Sequence, residues 1–108
     1  MERIRRPKTV VIAESGTEST AFEVDDMAFG SVQLPAAMTG TALAIEGRLQ
    51  NSGSWFPIKD ALGATLSITF AASTIVRLPD AAFGCNQLRL VSNGAEAAER
   101  SILTLCKS

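Results

Sequence analysis

Residues 41–49 read TALAIEGRL. On an extended chain successive side chains point to opposite sides, so Leu43, Ile45 and Gly47 share one face and Ala44, Glu46 and Arg48 the other. A period of two with one apolar face is the pattern of a half-buried strand. Gln50, Asn51, Ser52 and Gly53 follow, and these residue types end a strand in a turn.

The same alternation recurs along the chain. Strands are expected over residues 9–14, 20–25, 29–35, 41–49, 54–59, 64–70, 74–78, 87–92 and 100–106, separated by ESGTES, DDMAFG, QNSGS, KDALG and SNGAEA. PAAM (35–38) and PDAAFG (79–84) each read as a single helical turn opened by a proline. Phe22 and Val24, then Leu66, Ile68 and Phe70, then Leu88 and Leu90 fall on inward faces. Leu103 and Leu105 are expected to join them, which makes the last two strands a hairpin with GAEAA (94–98) as its loop. Eight to nine short, one-sided strands in 108 residues predict an all-β antiparallel sandwich, jelly-roll-like or immunoglobulin-like.

Charged residues are only 19% of the chain, below the usual quarter, and Ala, Ser, Thr and Gly fill the difference. The net charge of −1 hides an asymmetry. Residues 1–8, MERIRRPK, carry Arg3, Arg5, Arg6 and Lys8 against Glu2. The rest of the chain has six basic and ten acidic side chains. The expected organisation is a basic N-terminal arm over 1–8 and one sandwich domain over 9–108, the arm reaching toward an acidic partner surface. The apolar run TVVIA is too short for a signal peptide or a membrane span, so synthesis in a cytosol is expected.

There is no histidine and no tyrosine. Ser-His-Asp and Cys-His nucleophilic machinery is thereby excluded, and two cysteines cannot supply a structural zinc site. No phosphate-binding or dinucleotide fingerprint occurs. Asp25 and Asp26 adjoin, but they lack the spaced oxygens of a calcium loop and read as a solvated turn. Outside the first eight residues the body is acidic, which argues against specific nucleic-acid binding. The expectation is a protein that is not an enzyme and needs no cofactor.

Cys85 and Cys106 flank the expected last hairpin, and its register sets them opposite each other. They read either as two reduced small hydrophobes or as a crosslink, within the hairpin or between subunits. Trp55 and Phe56 sit between turns in a chain with 6% aromatic residues. Alternation puts Phe56 and Ile58 on the core side and Trp55, Pro57 and Lys59 outward. Pro57 removes a ladder donor and marks an edge strand or bulge. Trp55 is then either packed under a neighbouring loop or a subunit contact. A carbohydrate-binding module would use it as a stacking platform with Gln50, Asn51 or Asp60, but such surfaces usually present more than one ring.

The order IAESGTESTAFEVDD, GSVQLPAAMTGTALAIEG, WFPIKDALGATLSI, VRLPDAAFGCNQLRLVSNGAEAAERSILTL resembles small virion proteins of phages and prophages, especially those of alphaproteobacterial hosts. The likeness covers about residues 10–105 and rests on strand-and-turn motifs. The chain departs from the pattern at Arg48–Asn51 and at Cys85. The resemblance implies a non-enzymatic virion component: a capsid cement or decoration protein, or else a neck, collar or tail-associated component; an adhesion domain displayed on the particle is a rival reading that would share the fold. Its implied partners are the major capsid protein or neck and tail proteins, with copies of itself as a homo-oligomer, a trimer among the options. The residues expected to make contacts are Arg3, Arg5, Arg6 and Lys8 in the arm, Trp55, and Asn93 and Glu96 at the last hairpin tip.

Overall fold

The computed structural model describes residues 4–108. All nine expected strands form: β1 (Arg5–Ile12), β2 (Phe22–Glu23), β3 (Phe29–Gln33), β4 (Ala42–Arg48), β5 (Phe56–Pro57), β6 (Ser67–Thr69), β7 (Ile75–Arg77), β8 (Gln87–Ser92) and β9 (Arg100–Lys107). They build two antiparallel sheets. The first runs β1-β9-β3-β7; the second runs β2-β8-β4-β5, with β6 also paired to β4. Every connection except β4–β5 and β5–β6 therefore crosses between the sheets, and β4 with β5 is the one pairing of consecutive strands among the described residues. This order is a jelly roll, not an immunoglobulin-like sandwich.

The strand TALAIEGRL behaves as its alternation requires, with Leu43, Ile45 and Gly47 buried and the residues between them only half-covered. Facing it, Val10 and Ile12 of β1, Val32 of β3 and Ile102 of β9 close the core, joined by Phe22, Val24, Leu88, Leu90 and Ile68. Asp60 folds the β5–β6 connection by accepting from the amides of Leu62 (2.8 Å) and Ala64 (3.0 Å), and Gly63 takes φ +85°. PDAAFG forms the expected turn, a 3-10 helix over Asp80–Gly84. PAAM does not become helical; it is irregular, with a bend at Ala36, and it leads into backbone pinned from outside by Glu96 and Asn93.

The boundary expected at residue 8 moves. Arg5–Lys8 are the first half of β1, paired with Lys107–Thr104 of β9. Of the expected arm, residues 1–3, including Arg3, lie outside the described residues. β1 is a sheet edge, and it is guarded. The Val11 amide donates to Thr20 Oγ1 (3.1 Å) and its carbonyl accepts from the Thr20 amide (3.0 Å). Pro7, four residues earlier on the same outward side, has no amide to offer.

The last two strands also depart from expectation. β8 belongs to the second sheet and β9 to the first, so they make no hairpin. In β9 the buried set is Ile102, Thr104 and Cys106, and Leu103 and Leu105 point out. The run RSILTLC alternates equally well either way; the partners decide. Ile102 sits opposite Val10, Thr104 opposite Val32, and Cys106 opposite Gly30. The buried Thr104 hydroxyl is satisfied by donating to the Lys8 carbonyl at 2.8 Å. A Cβ on Gly30 would stand 2.8 Å from Cys106 Sγ and 3.2 Å from the Phe83 ring. The glycine is what lets the cysteine turn inward.

Candidate interaction surfaces

Three ionic clusters absorb most of the side chains that look available in the sequence. Arg6 reaches across the open end of the sandwich to Asp25 (3.0 Å) and Asp26 (3.0 Å), with Glu23 at 4.0 Å. This arm residue is therefore held by the domain itself, and the adjoining aspartates are taken by a cation of the chain. Arg5 and Lys8 stay exposed on β1.

On the outer face of the second sheet, Arg89 of β8 pairs with Glu46 of β4 (2.6 Å) and with Glu18 (2.6 Å). Its neighbour Arg48 donates through Nε to Gln87 (2.8 Å) and through a terminal nitrogen to the Gly53 carbonyl (3.1 Å). Both guanidinium groups lie over the Trp55 ring, at 4.3 Å for Arg48 and 4.9 Å for Arg89 from its centroid. The outward placement expected of Trp55 holds, but its ring packs against two arginines of its own sheet. Phe56 differs from its expected role. It keeps the inward parity, opposite Gly47, yet is 65% exposed, because the first sheet does not reach over this end. An open apolar cleft of about 410 Å3 remains there, lined by Gly47, Leu49, Phe56, Pro57, Ile58 and Cys85 among others.

The third cluster corrects the expected hairpin tip. Glu96 is 1% exposed. One carboxylate oxygen accepts from the Thr39 amide (2.8 Å) and Arg100 Nε (3.0 Å), the other from the Gly40 amide (2.9 Å) and Ser92 Oγ (2.8 Å). Burial by itself pushes this carboxyl up, but the four donors together outweigh it and bring its pKa down from 4.5 to about 2. Asn93 accepts from the Thr41 amide at 2.9 Å and donates to the Thr41 hydroxyl at 3.0 Å. Both residues fasten the 39–42 backbone to the 93–99 connection. No contact surface is left at Glu96.

Both cysteines are free thiols. Cys106 is buried in the core between the sheets, and burial pushes its thiol up to about 11, with Arg6 pulling slightly the other way. Cys85 is half-buried beside Gly47, and burial raises its thiol also. The hairpin that would have set them face to face does not form.

The surface that sequence reading missed is the outer face of the first sheet. Register lays it out in rows: Pro7, Leu105, Ser31 and Arg77; then Thr9, Leu103, Gln33 and Ile75. Arg5, Lys107 and Phe29 make the row at one end, Val11 and Ser101 the other. Leu103 is 44% and Ile75 70% exposed, and with Leu105 they border a shallow apolar depression of about 160 Å3. No carboxylate belongs to these rows. The sequence alone does not reveal it: only the register that sets Val10 opposite Ile102 and Ile12 opposite Arg100 makes the inward β9 positions even-numbered and leaves the leucines outside.

No protein-family model matches the chain, and no curated protein matches it by sequence. Among solved structures it is similar to YomS, a protein derived from the SPBc2 prophage, at 13% identity and a TM-score of 0.59, over 97% of this chain and 96% of the other. Lower similarity joins it to a structure of the disulfide-linked pili of Bacillus endospore appendages (10% identity, TM-score 0.48, 97% and 86% covered) and to PirA (16%, 0.44, 94% and 93%). At such identities the likeness is one of fold. The chain shares its two-sheet architecture, along nearly its whole length, with a prophage-derived protein.

Proposed function

We propose that this chain is a non-enzymatic virion structural protein that works as a capsid cement or decoration protein, stabilising the particle by many small contacts with neighbouring subunits. The observation that carries the reading is the whole-length fold likeness to a prophage-derived protein. It agrees with the resemblance of the GSVQLP, WFPIKD and AEAAER segments to phage virion proteins. The chemistry of the surface points the same way. The ionic clusters at Arg6, Arg89 and Glu96 are closed on their own partners, as expected of groups that hold a fold together. Trp55, the residue a glycan platform would need, is stacked by Arg48 and Arg89.

In this reading affinity comes from repetition. A symmetric lattice offers the same site many times, and copies associated as homo-oligomers engage several at once, so individually weak contacts sum to durable attachment. The test is mass spectrometry of purified virions with copy-number quantification. A cement protein is expected at on the order of hundreds of copies per particle. About a dozen or fewer would replace the cement role with a neck or tail role, and absence from the particle would refute the virion reading.

A further inference from the structure

We propose that the outer face of the first sheet is the docking surface, and that it meets a protein surface apolar at its centre and rimmed by carboxylates; this rests on the virion reading above. The centre of the face is apolar and accessible: Leu103, Leu105 and Ile75 flank the shallow depression between β9, β3 and β7. Its charges all have one sign. Arg5 and Lys107 stand side by side at the end of β1 and β9, and Arg77 lies on β7.

That segregation runs against the rest of the molecule, because the chain beyond residue 8 is net acidic. The carboxylates are elsewhere: Glu18 and Glu46 at the opposite face under Arg89, and Glu23, Asp25 and Asp26 with Arg6. Arg77 has exposed Asp80 at 3.2 Å. Among the described residues no carboxylate pairs with Arg5 or Lys107. Burying the face without new carboxylates would leave those cations desolvated and unpaired, which is costly.

The same argument selects the occupant. In a two-fold dimer through this face, each patch meets an identical patch. Within the rows the cations of one copy would meet cations, hydroxyls, amides, the Phe29 ring and aliphatic groups of the other, and Asp80 at the rim already holds Arg77. A second copy therefore leaves the face with an excess of positive charge, whereas a foreign surface with carboxylates around an apolar centre neutralises it. Docking by strand addition along β1 is also opposed, since Pro7 removes a donor from that edge.

The experiment uses particles purified from a phage deleted for this chain's gene, to which the purified protein is added back and bound protein is quantified after gradient sedimentation. Leu103→Glu, Ile75→Glu and Lys107→Glu are expected to weaken rebinding at least about tenfold each. Ser67→Glu, on the opposite sheet, is expected to rebind as wild type. Raising NaCl from about 50 to about 500 mM is expected to weaken the wild type more than Lys107→Glu. Melting curves confirm that each variant folds. If Leu103→Glu does not, the test stands on Ile75→Glu and Lys107→Glu, whose side chains lie at an edge strand and at a strand end.

Wild type that rebinds, with all three face variants rebinding equally well, overturns this inference and leaves the virion reading intact. Wild type that does not rebind overturns both. A wild-type dimer that Leu103→Glu dissolves in sedimentation velocity assigns the face to a second copy and also overturns the inference.

Discussion

Replacing Glu96 by glutamine tests the reading of the 93–99 connection as a fastening rather than a contact loop. The wild-type carboxylate titrates at about 2 instead of 4.5, and each tenfold change in proton affinity is worth about 1.4 kcal/mol. The charged form therefore contributes about 3 kcal/mol to folding. The Glu96→Gln variant loses that charge, leaves Arg100 without its partner, and turns an amide N–H group toward donors that need an acceptor. The folded-state pKa lies below the unfolded one, so the contribution is whole above about pH 4.5 and is lost as the pH falls through about 2. Urea unfolding followed by Trp55 fluorescence should show the variant about 3 kcal/mol less stable at pH 7, with a melting temperature lower by roughly 12–20 °C for a domain of this size. The gap should narrow steadily between about pH 4.5 and pH 2, because protonation takes from the wild type what the variant already lacks. A gap below about 1 kcal/mol at pH 7, or one that keeps its size on acidification, would refute the reasoning.

The packing sets four further outcomes. Gly30→Ala puts a methyl 2.8 Å from Cys106 Sγ and 3.0 Å from the Leu105 carbonyl, so it should destabilise by about 1–3 kcal/mol in chemical denaturation. Removing residues 1–8 takes away half of β1 and the Arg6 cluster; calorimetry should find a strongly lowered or absent transition. Arg5→Ala alone should stay within about 0.5 kcal/mol of wild type. Thiol labelling at pH 8 should modify Cys85 slowly and Cys106 only in denaturant, since burial raises both thiols and encloses the second; rapid labelling of both in the native protein would contradict the core placement of Cys106.

The alternation of TALAIEGRL fixes the two faces of β4 because only one of its parities is apolar enough to bury. The Asp60 and Gly63 turn is equally legible, each residue having one local role. RSILTLC is different: Ile102, Thr104 and Cys106 compete evenly with Leu103 and Leu105, and no local pattern separates them. What decides is the pairing with Val10 and Gly30, strands distant in sequence. Asn93 and Glu96 read as a hairpin tip because consecutive strands usually neighbour each other; the jelly roll sends that segment between sheets instead. Phe56 shows the limit of parity itself. Its side follows from alternation, but its exposure depends on how far the other sheet extends, and no local run encodes that.

The pairing of β1 with β9 has a mechanical consequence. Arg5 lies opposite Lys107, so both strands leave the fold at the same end of one antiparallel ladder. Tension applied between those ends loads the rungs one after another, as in opening a zipper, and each rung yields before the next shares the force. Tension in the plane of the sheet, transmitted through the broad flank of the first sheet, is instead spread over all its strands together. Anchored through that flank, the domain would bear lateral strain in its strong direction and spare its weak one.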